Sequence, residues 1–284
     1  MRVLWIFAHP ERHSLNGTLL DTGLRTLDTL GHEHRVSDLY AMGWKAVVDG
    51  ADFPAADTGD SGRLRVGDAQ EQAYRGAELS PDIRAEQEKI AWADVLVFQF
   101  PLWWFGPPAI LKGWFDRVLV QGFAFGLKDA DGTTLRYGAG GLTGKRALIV
   151  TSVGARESSF GPRGIHGPID EVLFPLLHGT FWYTGMAPLA PFTVYGADRT
   201  TPEGALDTAE ALSRRLRTLE SEAPLAYRHE QGGDYDEDLV LRPEAAPGRS
   251  GVAAHRTDDD PERLDRTDQL PLHSAQLSLR HLPV

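Results

Sequence analysis

From the first residue to about residue 222, short and nearly continuous apolar runs alternate with stretches of helical spacing. Arg2–Ala8 (RVLWIFA) is apolar almost throughout and stops at His9-Pro10, the pattern of a parallel strand buried on both faces. Ser14–Leu30 carries Leu15, Leu19, Leu20, Leu24 and Leu27 at roughly helical spacing, with Gly31 as a stop signal. His34–Asp38 predicts a second strand, shorter and more polar. Residues 41–80 hold Gly, Asp and Ala with little periodicity, and read as a long surface excursion. Pro81–Ala93 predicts a helix with proline in its first turn, and Asp94–Phe100 (DVLVFQF) a third strand. Pro107–Val120 is the next helix, Arg146–Ser152 the fourth strand, His166–Leu177 a helix and Leu189–Tyr195 the fifth strand. Glu203–Leu219 closes the set as a helix.

Strands that alternate with helices imply right-handed crossovers and a parallel sheet covered on both faces. The expected fold is therefore α/β: a flavodoxin-like, doubly wound parallel sheet of five strands in the order 2-1-3-4-5. It spans residues 1–222. Residues 223–284 change character, with Pro, Gly, Asp and Arg dominant and an acidic run, DDDPE, at 258–262. They predict an irregular acidic C-terminal extended arm, partly disordered or docked on a partner subunit. In such sheets ligands sit beyond the carboxyl ends of the strands. That singles out three loops: His9–Asn16, Pro101–Pro108 and Val153–His166.

Composition removes several alternatives. Apolar residues at 42% and charged residues at 24% are globular values. The absence of cysteine excludes disulfide scaffolds, thiol nucleophiles and Cys-ligated metals, and no metal site is expected. A net charge of −11 argues against a nucleic-acid partner. Val95–Leu111 runs about 17 residues without a charge, near the lower limit for a membrane span. However, Pro101, Gly106, Pro107 and Pro108 would break such a helix, so no membrane insertion is expected. The N-terminus shows no signal-peptide pattern, and the reading is a soluble cytoplasmic protein.

Each loop admits a structural and a functional reading. Ser14 and Asn16 open a helix, where free N–H groups suit a phosphate; Ser14 also serves as a plain N-cap. No Walker or GxGxxG pattern supports a nucleoside triphosphate or a dinucleotide domain. Trp103, Trp104 and Phe105 cannot all face one core, so they either line a cavity for a planar ligand or make packing and dimer contacts. The third loop carries Gly154, Gly161 and Gly164, which let a backbone approach a flat ligand closely, and His166, which either caps a helix or donates to a ligand. A phosphate-suited loop, an aromatic shelf and a glycine-rich loop at one sheet edge together suggest a flavin.

The strings IFAHPERHSLNGTL, SDLYAM, DVLVFQFPLWWFGPPAILKGWFDRV and GIHG resemble the NAD(P)H:quinone oxidoreductases (DT-diaphorases) over roughly residues 1–222. The resemblance implies a flavodoxin-like homodimer holding FAD non-covalently, with NAD(P)H as co-substrate. The nucleotide delivers hydride to the flavin and leaves, and a quinone then enters the same site for two-electron reduction. Carried over by motif, His9, Ser14, Leu15, Asn16 and Thr18 would hold the pyrophosphate and adenosine part. Pro101, Leu102, Trp103, Trp104 and Phe105 would shape the isoalloxazine site, with Ser152, Val153, Gly154 and Ala155 on its other edge. Trp104, Phe105, Phe125, Gly154, Phe160, His166 and Tyr183 would border the substrate, with His166 catalytic.

One position departs from the family, whose better-known members carry tyrosine six residues before the GIHG histidine. This chain has Phe160, which has no hydroxyl to stabilise a developing anion or relay a proton. Loss of one such donor costs about 10²–10³ in rate elsewhere. Activity is expected to persist, with His166 acting alone, through water, or with Arg156 or Arg163. Shorter relatives bind FMN, while a long chain with an arm resembles the FAD branch. Azo and nitro compounds are further acceptors to consider. The competing class is an ancillary flavoprotein of a potassium efflux system, which would leave the arm without a purpose. No GxSxG motif supports a hydrolase.

Overall fold

The structure, a computed structural model, describes residues 1–54 and 62–257. One parallel sheet is built from β1 (Arg2–Phe7), β2 (Glu33–Asp38), β3 (Val95–Pro101), β4 (Arg146–Val153), β5 (Ala187–Pro188) and β6 (Phe192–Tyr195). The connecting helices are α1 (Leu15–Thr29), α2 (Val66–Arg75), α3 (Pro81–Trp92), α4 (Ala109–Val118), α5 (Ile169–Val172), α6 (Phe174–Leu176) and α7 (Pro202–Arg217). Strand order is β2-β1-β3-β4-β5, with β6 also paired to β4. This is the expected 2-1-3-4-5 arrangement with its fifth position split. The predicted strand Leu189–Tyr195 begins earlier, at Ala187, and is interrupted at 189–191. Pro188 and Pro191 flank the break, and proline offers no N–H to a ladder.

The central strands are apolar throughout because each side chain has a core to enter. Leu4 and Ile6 join Leu96, Phe98 and Phe100 on one face. Val3, Trp5 and Phe7 join Val95 and Val97 on the other. Leu19, Leu20 and Leu27 of α1 and Leu212 and Leu216 of α7 cover the second face. Ile83 and Ile90 of α3 and Leu111 and Trp114 of α4 cover the first. Ser14 is the N-cap of α1, its Oγ accepting the Gly17 N–H at 3.2 Å. At the far end Gly31 turns the chain away with φ of 70°, a left-handed conformation that suits glycine.

Two predicted segments differ from the structure. The excursion at 41–80 contains α2, whose buried face is Ala69, Gln70 and Ala73. Small and polar side chains leave no apolar period to read. The predicted helix His166–Leu177 is broken. His166 lies in turns ahead of Pro168; α5 and α6 are one turn each, separated near Pro175, and a π-helical stretch, Leu177–Trp182, follows. Proline cannot continue the ladder of the preceding turn, and π turns are frequent near functional sites.

A buried ionic brace holds α4. Arg117 donates to Asp52 at 2.7 Å and to Asp82 at 2.7 Å, and its guanidinium lies 4.6 Å from the Trp44 ring centroid. Lys45 joins Asp52 at 2.9 Å. Burial works against an ionised Asp52, but Arg117 and Lys45 outweigh it and hold the carboxyl below its usual range. The brace ties residues 44–52 to α3 and α4.

After residue 222 the chain runs back over its own fold. Tyr227 and Arg228 are buried, Arg228 pairs with Asp234 at 2.9 Å, and Arg256 pairs with Asp170 of α5. The acidic run at 258–262 lies outside the described residues. No described helix is long and apolar enough to cross a membrane. The uncharged run at 95–111 is β3, a hairpin and the first residues of α4.

Candidate active site

The carboxyl ends of β1, β3 and β4 meet through a buried chain of hydrogen bonds. The Trp5 indole N–H donates to Gln99 Oε1 at 2.9 Å, and Gln99 Nε2 donates to the Asn16 carbonyl at 2.7 Å. Asn16 Nδ2 donates to Ser152 Oγ at 2.9 Å. Asn16 is 5% exposed, and its Oδ1 is buried with no partner among the described residues. An orphaned buried acceptor is costly unless something supplies a donor.

His9 sits at the outlet of β1, beside the start of α1. Its Nδ1 lies 3.0 Å from the Glu11 N, 2.9 Å from the Glu11 carbonyl and 3.1 Å from Ser14 Oγ, so these contacts engage Nδ1 and not Nε2. Thr18, one turn into α1, is exposed, and its hydroxyl donates to the Ser14 carbonyl at 3.3 Å. Leu15 is half-buried between them.

Beyond β3 the chain makes a two-residue hairpin. Trp103 and Gly106 exchange N–H···O bonds at 3.0 Å each, and Trp104 and Phe105 between them have φ of 51° and 61°. Positive φ at both central residues is the signature of a type I′ turn, which favours Asn and Gly. Two aromatic residues there cost about 1–2 kcal/mol each in backbone strain. Strain of this kind persists where the surroundings over-determine it, commonly at functional sites. Trp104 is 99% exposed, and Trp103 and Phe105 are each about half exposed, with the Phe105 ring 5.2 Å from that of His166. Pro101 and Leu102 behind the hairpin are buried, and the Leu102 N–H donates to the Ser152 carbonyl at 2.8 Å.

The third loop faces this hairpin. Val153, Gly154 and Ala155 are half-buried, with the Gly154 carbonyl accepting from Arg199 at 2.7 Å and Asp198 packed against its Cα. The His166 ring lies between Phe105 and Phe160, 4.9 Å from the latter, and Phe160 also touches Tyr195 at 5.6 Å. Phe160 is 5% exposed, so a hydroxyl is missing from an enclosed position. Arg156 and Arg163 are both exposed on the same loop.

A cavity of about 480 Å³ opens under the hairpin. Phe105 and Gly106 form one wall, Phe115 and Leu119 of the α4 region the floor, and Thr180 and Tyr183 the opposite wall. Phe125 lies 6.3 Å from Tyr183 across it. The structure thus gathers Phe105, Phe125 and Tyr183 around one cavity, puts His166 behind Phe105, and joins Asn16 to Ser152. Trp104 stands outside the cavity. Sequence reading missed Gln99, Gln70 and Arg199. Gln99 carried a signal, a lone polar residue inside the apolar run DVLVFQF.

A parallel sheet with a buried polar chain and three converging loops at its carboxyl edge defines a flavodoxin-like protein, and the model of the family described as flavodoxin-like fold matches residues 1–219. The chain is 42% identical over 259 residues to ribosyldihydronicotinamide dehydrogenase-like protein traD of Penicillium crustosum, covering 90% of this chain and 95% of that protein. It is 36% identical over 226 residues to NAD(P)H dehydrogenase (quinone) 1 of Rattus norvegicus, covering 80% of each. A crystal structure described as a candidate quinone reductase from Klebsiella pneumoniae superposes with a TM-score of 0.85 at 46% identity, covering 90% of this chain and 99% of that one. The chain belongs to the NAD(P)H:quinone oxidoreductase family.

Proposed function

We propose that the protein is a cytoplasmic, flavin-dependent NAD(P)H:quinone oxidoreductase. It carries out two-electron reduction of quinones by a ping-pong route, with azo and nitro compounds as further acceptors. The observation that carries this reading is the orphaned Asn16 acceptor at the strand ends, in a fold whose hairpin also supplies Phe105 to a cavity and to a ring contact with His166.

The residues present fit a flavin. Asn16 Oδ1 lacks a donor, and a ribityl hydroxyl is one. His9 Nε2, Ser14, Leu15 and Thr18 at the head of α1 suit the phosphate end. Pro101, Leu102, Trp103, Trp104 and Phe105 would shape one edge of a planar ring, and Ser152, Val153, Gly154 and Ala155 the other. When bound, the flavin supplies the hydride chemistry, and the protein supplies position and electrostatics.

Phe105, Phe125 and Tyr183 give the acceptor an apolar slot that excludes water. His166 is the donor toward the acceptor oxygen. Phe160 and Gly154 border that end. The length of the chain favours FAD over FMN. A homodimer accounts for the apolar rim, where Trp104 is 99% and Ile165 90% exposed.

The test is an absorption spectrum of purified protein before and after NAD(P)H, with the extracted flavin weighed. Bleaching reversed by a benzoquinone is the expected result. A protein that stays colourless after incubation with FAD and with FMN overturns the proposal. In the same assay Phe160→Tyr should alter the rate or its pH dependence if the enclosed hydroxyl matters to proton delivery.

A further inference from the structure

The wall of the cavity opposite the hairpin has a second face. Residues Thr180 and Tyr183 look into the cavity, while Phe174, His178 and Trp182 of the same segment look away from it, toward the C-terminal arm. His178 stacks on Phe174 at 4.6 Å and meets Tyr227 of the arm edge-on at 5.0 Å. Trp182 donates its indole N–H to the Arg228 carbonyl at 3.0 Å and packs against His229 at 4.6 Å.

Tyr137 connects the two faces. Its backbone has φ of 44°, a left-handed conformation for a bulky residue. Such strain survives only where neighbouring bonds fix it, and three do so. The Tyr137 N–H donates to the Tyr183 carbonyl at 3.1 Å, the Gly138 N–H to the Trp182 carbonyl at 2.7 Å, and the Glu230 N–H to the Tyr137 carbonyl at 3.4 Å. Arg136 adds an ion pair to Glu230 at 2.6 Å. Gly138 is required by close approach, because a Cβ there would fall 2.3 Å from the His229 ring. Held in this way, the Tyr137 ring stacks on His178 at 4.9 Å and meets Tyr183 edge-on at 5.1 Å.

We infer that Tyr137 is a positioning residue for the acceptor slot: pinned by the arm through Glu230 and stacked on His178, it fixes the Tyr183 ring against Phe125 and thereby sets how tightly the slot grips a planar acceptor. This rests on the proposed function for the identity of the acceptor, and not for the mechanical link. Tyr137 touches neither the cavity nor the flavin-suited loops, so it acts on acceptor binding rather than on hydride delivery. Its hydroxyl has no part in this; the ring does.

The test has two readouts on the full-length protein. Hydrogen exchange across residues 177–184, which needs no flavin, reports whether the wall loosens. Steady-state and half-reaction kinetics, with a benzoquinone as acceptor, report whether the slot loosens. In Tyr137→Ala, amides in 177–184 should exchange faster. One ring contact is worth enough to raise the quinone KM about tenfold, with flavin content and the limiting rate of flavin reduction at saturating NAD(P)H unchanged. Tyr137→Phe should restore both readouts, and Tyr137→Leu, which keeps volume without the stack, should fall between.

Unaltered exchange in Tyr137→Ala overturns the mechanical link. Faster exchange with an unchanged quinone KM, or an equal loss in both half-reactions, overturns the assignment to the acceptor slot. A wild-type protein with no flavin and no turnover refutes the proposed function instead, and the exchange data still decide the link.

Discussion

At the carboxyl ends of the strands, side chains are fixed by directed hydrogen bonds running from Trp5 through Gln99 and Asn16 of α1 to Ser152. On the helical side, Tyr183 is held by ring contacts that lead through Tyr137 and His178 to the C-terminal arm. The first region ties the start of α1 to β3 and β4 and loosens only if these elements part. The second is a π-turn segment, Leu177–Trp182, that follows Pro168 and Pro175 and leans on residues far along the chain. A site that must keep one ligand and exchange another benefits from one rigid wall and one adjustable wall. Asn16 and Ser152, proposed to face the cofactor, lie on the first, and Tyr183, proposed to face the acceptor, lies on the second.

Breaking the rigid wall should have the largest effect. Gln99→Leu removes both bonds of a fully buried side chain and strands the Trp5 N–H and the Asn16 carbonyl. Each stranded group costs about 1–3 kcal/mol, so a loss of about 3 kcal/mol is expected in urea unfolding of flavin-free protein. Added flavin should recover less stability than it does in the wild type, because Asn16 is held by one bond fewer. A loss below about 0.5 kcal/mol would show that the network is not what stiffens this wall.

Acid should weaken the adjustable wall first. Burial, reinforced by the nearby His255, pushes the His178 pKa down to about 4, and burial lowers His229 and His255 as well. The charged groups facing them are Arg228, Asp234, Glu230 with Arg136, and Arg256 with Asp170; the Tyr235 hydroxyl bonds His255 at 2.9 Å. Because the folded pKa is lower, the unfolded chain binds the proton first. The neutral stack contributes its full stability above about pH 6.5 and loses it as pH falls toward 4. At pH 5 that loss is about 1–2 kcal/mol. Carboxylates held below their usual range by their partners, such as Asp52, Asp82 and Asp94, act only below this window. Urea unfolding at pH 7.5 and pH 5 should show the slope in wild type, and His178→Phe should flatten it. An equal slope in both proteins would place the acid sensitivity elsewhere.

The same contrast explains what could be read from the sequence. The sheet wall was legible because its strands are buried on both faces, so apolar runs such as DVLVFQF mark them directly, and the residues at their outlets are contiguous motifs. Ser14 showed itself as a cap for the same local reason. The helical wall was not legible. Tyr137 and His178 are 41 residues apart along the chain and His178 and Tyr227 are 49 apart, and contact between such distant rings leaves no periodicity. The passage from α6 into the π turn at Leu177 falls at the end of what reads as one amphipathic helix, with no change of residue pattern to mark it. The α2 helix escaped because its buried face is Ala69, Gln70 and Ala73, a pattern that hydrophobic spacing does not detect.

The hairpin at Trp103–Gly106 sharpens the contrast with the smallest expected effect and the opposite sign. Its central residues are held in a left-handed backbone that aromatic side chains disfavour, whereas Asn-Gly fits the same turn. Replacing both, Trp104→Asn with Phe105→Gly, should leave the backbone in place because the Trp103–Gly106 bonds do not involve either side chain. Trp104 is fully exposed and contributes no packing, while Phe105 gives up its contact with His166. Relief of strain less that lost contact leaves a net gain of about 1 kcal/mol in unfolding free energy. Acceptor turnover should fall at the same time, since one wall of the cavity loses its only ring from this loop. A protein that becomes both more stable and less active would show the turn to be strained on behalf of its ligands; one that loses stability would show the two aromatic rings to be part of the fold's own packing.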